Sequence, residues 1–278
     1  MKLLNHFGIL LLLSIVLISS CTTKKDVAAV APREVFQLNV KPTIVEVDNL
    51  GRLYLVDEGN NIINYTPELK EQYRYANKRS GQVSNLDVTN PLKVVSFSND
   101  FNQILYLDNT LSVISELNLS EKFADISACG TSNDGNLWVY DPTQFKMMKI
   151  NDQGNILLET SNVNDVGITN VNITDIKERG NYVIMCDREK GFYVFDNMGQ
   201  YMYHYEAKGI KSIQFDGRNI YYFTNTGLKS YSIKFKEKVM ISYPFDISRQ
   251  DLKFVVYSSG DIYEVYQTGI NVLKTAKK

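Results

Sequence analysis

The sequence predicts an all-β protein, a six-bladed β-propeller of four-stranded blades, from three observations. A short apolar, aromatic and β-branched run recurs as LYLVD (53–57), ILYLD (104–108), LWVYD (137–141), VIMCD (183–187), IYYFT (220–224) and, more loosely, IYEVY (262–266). Turn-forming residues usually precede the run, as in SNDG (132–135). Tyrosine (18) and phenylalanine (13) are abundant, and aromatic residues suit a pleated, half-buried surface. Such a recurring unit indicates a repeat architecture.

The spacing of this run sets the number of blades. The second residues of successive runs lie 51, 33, 46, 37 and 42 positions apart. The average of about 42 suits a four-stranded propeller blade of about 40–50 residues. Six runs therefore predict six blades over residues 34–278.

The strands of each blade follow from the same pattern. In the first blade we expect strands at 43–47, 52–57, 61–66 and 70–75. Blades three to five repeat this arrangement. The second blade is the weakest, because its second strand falls at 104–108, its outer strands are compressed into 111–122, and residues 76–91 remain as a long loop before it.

The last blade predicts how the ring closes. It offers strands at 252–257, 261–267 and 269–274, and then the chain ends. The apolar stretch 34–40 precedes the first blade and has no other partner. We expect it to be the fourth strand of the last blade, which leaves no open seam in the ring.

The repeated pattern GxLYxxD, present as GRLYLVD at 51–57, resembles the NHL and YWTD groups of six-bladed propellers. It also resembles the six-bladed propeller lipoproteins common in Bacteroidetes. The resemblance covers about residues 34–274. It implies the fold and no particular activity, because such folds carry many unrelated functions.

The first residues predict an export signal. Lys2 is followed by an apolar run over 7–18 that is short for a membrane span and suits a signal peptide. Its ending, Ile18-Ser19-Ser20-Cys21, resembles the lipobox of bacterial lipoproteins. That resemblance implies cleavage before Cys21, a diacylglycerol on its sulfur and usually an acylated amino terminus. An ordinary secretory signal with an incidental cysteine is the alternative.

A lipid on Cys21 would divide the chain into a signal peptide (1–20), a lipidated residue with a tether (21–33) and the propeller (34–278). Several acyl chains on one residue anchor a protein stably, whereas a single chain is marginal. Thr22, rather than Asp, follows the cysteine. By analogy with lipoprotein sorting in the better-known Gram-negative bacteria, this favours the outer membrane.

Charge and residue counts disfavour several function classes. The net charge is −1, so there is no electrostatic case for nucleic-acid binding. His204 is the one histidine outside the predicted signal, which disfavours histidine-based triads and multi-histidine metal sites. Cys129 and Cys186 lie in predicted strands and are interpreted as small core residues, although an exported protein could oxidise them.

The best candidate for a binding surface is the face that carries the long loops 76–91, 161–172 and 243–251. All three are predicted to join the outer strand of one blade to the inner strand of the next, and loops of this length are often functional. Tolerated insertions are the alternative. The candidate residues on these loops are Lys78, Arg79, Val83, Leu86, Tyr243 and Phe245.

Two further sets of residues are expected on that face. Lys78 and Arg79, with Arg188 and Lys190, form a basic cluster that could receive an acidic partner or a lipid headgroup, or be solvated surface. Four carboxylates are each predicted to end a second strand: Asp57, Asp108, Asp141 and Asp187. They could bind a cation or a sugar, but we favour turn formation, in which Asp accepts nearby backbone N–H groups.

These observations lead to a non-enzymatic propeller, lipid-anchored in the bacterial envelope, that binds a protein partner. We expect no catalytic residue, no cofactor and no metal, and we interpret Trp138 as core packing. Two alternatives stay open. One is a metal-dependent lactonase- or hydrolase-like propeller with oxygen ligands at the axis, drawn from Glu46, Asp125, Asp175 and Asn170. The other is a lipoprotein that binds a glycan or another small ligand.

Overall fold

In the part of the chain that the structure describes, twenty-four strands form six four-stranded antiparallel sheets, which are the blades of a propeller. The computed structural model describes residues 34–241 and 249–274, so the predictions for Cys21, Tyr243 and Phe245 lie outside the described residues. The predicted fold class is confirmed. None of the helices in the described ranges has the length and apolar character needed to cross a membrane.

Each blade runs from an inner strand at the axis to an outer strand at the rim. The first blade consists of β2 (Pro42–Val47), β3 (Leu53–Asp57), β4 (Asn61–Tyr65) and β5 (Glu71–Ala76). The second consists of β6 (Asn85–Asp87), β7 (Val94–Ser98), β8 (Gln103–Leu107) and β9 (Val113–Asn118). The third consists of β10 (Ala128–Thr131), β11 (Leu137–Asp141), β12 (Lys146–Ile150) and β13 (Ile156–Glu159).

The remaining blades follow the same order. The fourth consists of β14 (Ile173–Arg179), β15 (Tyr182–Asp187), β16 (Gly191–Asp196) and β17 (Tyr201–Glu206). The fifth consists of β18 (Ser212–Phe215), β19 (Asn219–Thr224), β20 (Gly227–Ser232) and β21 (Glu237–Met240). The sixth consists of β22 (Leu252–Ser258), β23 (Asp261–Tyr266), β24 (Ile270–Lys274) and β1 (Glu34–Leu38). Within the described residues, three short 3-10 helices lie in connections, at Asn99–Phe101, Leu119–Glu121 and Val163–Val166.

The ring closes through the N-terminal strand, as the sequence predicted. Strand β1 pairs antiparallel with β24, and Leu38 lies opposite Ile270. Phe36 and Leu38 pack against the apolar cluster between the sixth and first blades. The first and last parts of the chain are therefore joined in one sheet.

The core consists of apolar clusters between neighbouring blades, because each sheet presents side chains to both of its neighbours. The cluster between the third and fourth blades includes Trp138, which is fully buried. Cys129 and Cys186 are also buried and lie in two different clusters, so they do not pair. Burial raises the pKa of both thiols, which keeps them protonated and unreactive.

The second blade differs from the sequence prediction by one strand. Residues 85–87 form its inner strand, 94–98 its second strand, and 103–107 its third. The run ILYLD therefore marks the third strand in this blade and the second strand in the others. The third strand is as buried as the second, so composition does not separate the two, and a three-residue inner strand gives too little pattern to detect.

The connections define two sides of the disc. We call loop face the side that carries the connections after second and outer strands, among them 58–60, 77–84, 99–102, 142–145 and 160–172. We call turn face the side that carries the connections after inner and third strands, among them 48–52, 88–93, 197–200 and 233–236.

Candidate functional site

The connection 77–84 on the loop face is held rigidly by one side chain. The Nδ2 group of Asn60 donates to the carbonyl oxygens of Asn77 (3.1 Å) and Gly81 (2.8 Å), and its Oδ1 accepts the amide of Val83 (3.0 Å). Asn60 is itself buried, and its backbone φ of 61° lies in the left-handed region that Asn tolerates. This polar clamp fixes the path of the loop that presents Lys78.

Gly81 brings this loop against the next blade. Its φ is +75°, and a Cβ at this position would lie 2.5 Å from side-chain atoms of Asp100 and Phe101. Only glycine allows this approach. Lys78 and Arg79 are exposed on the same loop, and the Phe101 side chain is 56% exposed. A basic loop and an exposed aromatic side chain are thus held side by side.

A second aromatic side chain is held in the same way on the third blade. Phe145 ends the connection 142–145 with a φ of 54°, and its carbonyl oxygen accepts the amide of Val163 at 2.8 Å. Val163 begins the 3-10 helix that carries Val166, and the Asn162 side chain accepts the Asn164 amide at 2.9 Å. Phe145 and Val166 are 39% and 43% exposed. The exposed apolar groups of this face therefore sit on braced turns.

The structure exposes some of the candidate residues named from the sequence and buries others. Lys78 and Arg79 are exposed on the loop face, as an interface requires. Val83 and Leu86 are buried in the cluster between the first and second blades, so their assignment as exposed anchors is wrong. Residues 85–87 form a strand, which shortens the loop and turns these side chains into the core.

Phe101 and Phe145 were not among the residues named from the sequence. Each is an aromatic residue inside a polar turn, in SNDFN (98–102) and DPTQF (141–145). An aromatic side chain in a short polar turn has little core to enter, and this signal could have found both.

The four repeat carboxylates lie at turns and accept backbone amides. Asp57 accepts from Asn61 at 2.9 Å, Asp141 from Thr143 at 2.7 Å, and Asp187 from Glu189 at 2.8 Å. These three end second strands and face the loop face. Asp108 accepts from Thr110 at 2.7 Å but follows a third strand, so it lies on the turn face and not with the others.

The basic residues of the fourth blade are occupied by structural contacts. Arg188 forms an ion pair with Asp175 (3.1 Å) and donates to the carbonyl oxygen of Lys211 (2.8 Å). Lys190 donates to two carbonyl oxygens of the preceding connection, at 2.6 and 2.8 Å. Both side chains brace loops and do not join Lys78 and Arg79 in one basic cluster.

The axis is filled by a polar network. The carboxylate of Glu46 accepts Nζ of Lys177 and Nε2 of Gln214, each at 2.9 Å, and thereby joins the inner strands of the first, fourth and fifth blades. Burial raises the pKa of Glu46, against the lowering effect of Lys177. Burial acts to lower the pKa of Lys177, but the combined attraction to Glu46, Asp87 and Asp175 outweighs it and raises that pKa.

The oxygen ligands of the metal alternative are not gathered at the axis. Glu46 is bound by an ammonium and an amide, and Asp175 by Arg188. Asp125 and Asn170 are exposed on connections. In residues 34–241 and 249–274, no three His, Cys, Asp or Glu side chains are grouped so that they could hold a metal ion.

One cavity lies at the closure of the ring. It has a volume of about 190 Å³ and is lined by Leu38, Arg249, Tyr266 and Asn271 among others. Arg249 stacks on the Tyr266 ring at 4.1 Å and forms an ion pair with Asp251 at 2.7 Å. Small-molecule sites usually measure about 300–1,000 Å³. This cavity is therefore small for a ligand.

Comparison with known proteins identifies the fold. No protein-family model and no curated protein matches the sequence. Among solved structures, the Pan2 WD40 domain of Neurospora crassa is similar with a TM-score of 0.64 and 10% identity, over 90% of this chain and 98% of that chain. Virginiamycin B lyase of Staphylococcus aureus is similar with a TM-score of 0.61 and 12% identity, over 87% and 99%. A catalytically inactive variant of that lyase with quinupristin gives a TM-score of 0.62 at 12% identity, over 87% and 99%. At these identities the likeness establishes that the chain is a β-propeller.

Proposed function

We propose that this protein is a lipid-anchored, non-enzymatic propeller that binds a protein partner of the bacterial envelope through its loop face. The observation that carries the proposal is the pair of exposed aromatic side chains, Phe101 and Phe145, held on braced turns of neighbouring blades. A rigid apolar group loses little conformational freedom when it is covered, so it favours tight association.

The composition of this surface supports a protein partner. Aromatic residues and arginine are enriched in protein–protein interfaces and carry much of the binding free energy. Phe101, Phe145 and Arg79 provide these residue types on the second blade, on the third blade and on the connection between the first two. The cavity at the ring closure is small for a glycan or another ligand of drug size.

Two features support a non-enzymatic role. The carboxylates considered for a metal site are bound by their own neighbours or lie apart. His204 lies on the outer strand β17, where its ring stacks on Tyr193 at 4.4 Å and its Nε2 lies 2.8 Å from the Lys190 carbonyl oxygen. The inactive lyase variant replaces a histidine by alanine. In this chain the histidine outside the predicted signal is His204, an exposed residue of the rim.

The anchor in this proposal is Cys21, with residues 22–33 as the tether and the outer membrane as the location. The lipobox-like ending of the signal segment is its support. Replacing Cys21 by Ser should release the protein from membranes into the soluble fraction, because the lipid is then the only covalent attachment lost. Retention of this variant in the membrane fraction would contradict the anchor.

The partner-binding face is tested by capture from native membranes in mild detergent, with the lipidated full-length protein as bait. Phe101→Ala together with Phe145→Ala should reduce the recovered stoichiometric partner at least about thirtyfold, since a hot-spot side chain contributes about 2 kcal/mol or more. Leu92→Ala is the matched control, because Leu92 is 70% exposed on the turn face. Tyr243→Ala with Phe245→Ala tests the candidate residues outside the described ranges.

Equal recovery with the double variant and the control would remove the loop face from the proposal. Recovery of the wild-type protein alone would contradict the scaffold function itself. In that case, a stoichiometric divalent ion in the purified protein would favour the hydrolase alternative, and saccharide binding would favour the glycan alternative.

A further inference from the structure

A second exposed surface lies at the rim of the fourth and fifth blades. Phe235 is 66% exposed. Lys234, Lys236 and Lys238 surround Phe235 and are exposed as well. We call these four residues the rim patch. It combines the most exposed aromatic side chain of the described ranges with a local excess of positive charge.

The two blades are joined within this patch. The hydroxyl group of Tyr203, on the outer strand β17, donates to the carbonyl oxygen of Ile233 at 3.3 Å. Nζ of Lys236 lies 4.6 Å from the centre of the Tyr203 ring. The connection 233–236 therefore packs on the outer strand of the fourth blade.

The positive charge of the rim patch is available to a ligand. None of the ion pairs found among the described residues involves Lys234, Lys236 or Lys238. Glu237 is the one acidic residue within 234–238.

The rim patch lies near the place where the tether joins the propeller. Strand β1 is the outer strand of the sixth blade, and it begins at Glu34, opposite Lys274. Outer strands begin on the side of the turn face, so Glu34 lies on the same side as the connection 233–236 of the adjacent fifth blade. Twelve residues separate Cys21 from Glu34, and the thirteen Cα–Cα steps between the two span at most about 45 Å.

We propose that the rim patch docks on anionic lipid headgroups of the membrane that holds the Cys21 lipid. The Phe235 side chain enters the headgroup region, and the three lysines neutralise lipid charge. The inference rests on the proposed lipid anchor and adds an orientation to it. Phe101 and Phe145, on the other face and on the second and third blades, stay accessible to a partner.

The lysines of the rim patch favour a membrane over a protein as its binding partner. Lysine is depleted in protein–protein interfaces, because its flexible, hydrated ammonium is difficult to bury. At a lipid surface it needs no fixed partner, and each lysine near an anionic membrane strengthens binding about fivefold. An aromatic residue with flanking lysines is typical of surfaces that lie in the membrane interface.

The test uses lipidated full-length protein reconstituted in vesicles of equal parts phosphatidylglycerol and phosphatidylethanolamine, or of phosphatidylcholine alone. Phe235→Cys is labelled with a polarity-sensitive dye, while Cys129 and Cys186 are buried and leave the label specific. Phe101→Cys is the matched control, because Phe101 is similarly exposed but lies on the loop face. Flotation with the vesicles, compared with Cys21→Ala, measures anchoring separately.

We expect the dye at position 235 to shift to an apolar environment in anionic vesicles, and the dye at position 101 to remain in water. Adding Lys234→Glu and Lys236→Glu to Phe235→Cys should abolish the shift without preventing flotation. A floating protein with a water-exposed dye at position 235, or with equal shifts at both positions or in both lipids, would overturn the docking inference and leave the anchor standing. Failure to float would instead reject the anchor.

Discussion

The buried pair of Glu46 and Lys177 joins opposite blades at the axis, and its removal should be costly. Their side chains are 13% and 12% exposed. Replacing Glu46 by Gln leaves an ammonium without its nearest carboxylate, so we expect the free energy of unfolding to fall by about 3 kcal/mol. Glu46→Gln combined with Lys177→Met should recover most of this loss. Urea denaturation measures both, and an unrecovered double variant would contradict the pairing.

The same carboxyl group predicts a pH dependence. Because burial raises the pKa of Glu46 above its ordinary value of 4.5, the folded protein holds this proton more tightly than the unfolded chain. The contribution of this bound proton to the free energy of unfolding is complete below about pH 4.5 and is lost as the pH rises through the pKa of Glu46 in the folded protein. The free energy of unfolding of wild type should therefore exceed that of Glu46→Gln by most at low pH and by least at neutral pH, and the loss of about 3 kcal/mol expected above is the value at neutral pH. A difference that is constant with pH would contradict the shifted pKa.

The residues at the axis also show which features could be predicted from a single sequence. Glu46 was placed near the axis from the repeat, and it is there. Lys177 was not anticipated as its partner, because the two lie 131 positions apart and no local pattern links them. Val83 and Leu86 were assigned to a loop of the binding face, and this error has the same origin. Their burial depends on a contact with the next blade, which the sequence does not display.

Among the elements, the inner strands β10 and β14 approach each other closely. A Cβ on Gly130 would lie 2.0 Å from the carbonyl oxygen of Ile176. Gly130→Ala must separate the two strands, and we expect it to destabilise the protein by about 3 kcal/mol. Gly135→Ala is the control, because its φ is +83° with no atom within 4 Å, so it should cost only about 1 kcal/mol. Equal midpoints in thermal denaturation would contradict this packing.

Strands with a strong apolar run were predictable, and short ones were not. The run VIMCD at 183–187 predicted the second strand of the fourth blade, and the structure has Tyr182–Asp187. Strand β6 spans three residues and is defined by its pairing with β7, a tertiary contact. Because the prediction missed this strand, it took the third strand of the second blade for the second. Asp108 was misplaced on the loop face as a consequence.

Across the whole molecule, the two proposed surfaces lie on different parts of the disc. The exposed aromatic residues of the loop face belong to the second and third blades, and the rim patch belongs to the fifth, where it packs on the outer strand of the fourth. The tether joins the sixth blade, next to the rim patch. A membrane bound at the rim patch would therefore leave the second and third blades facing away from the lipid, where a partner can reach Phe101 and Phe145.

Ring closure should make the propeller unfold as one unit. Leu38→Asp places a charge where β1 packs between the sixth and first blades, so we expect a loss of about 3 kcal/mol. Gln37→Asp, on the exposed side of the same strand, should have little effect.

The fluorescence of Trp138 reports on the third and fourth blades, on the far side of the ring. In wild type and Gln37→Asp, its fluorescence and the far-UV circular dichroism should change together in urea. In Leu38→Asp the dichroism should fall first, because the opened sixth blade unfolds before the tryptophan is exposed. Coincident transitions with an unchanged midpoint in this variant would show that the N-terminal strand does not hold the ring together.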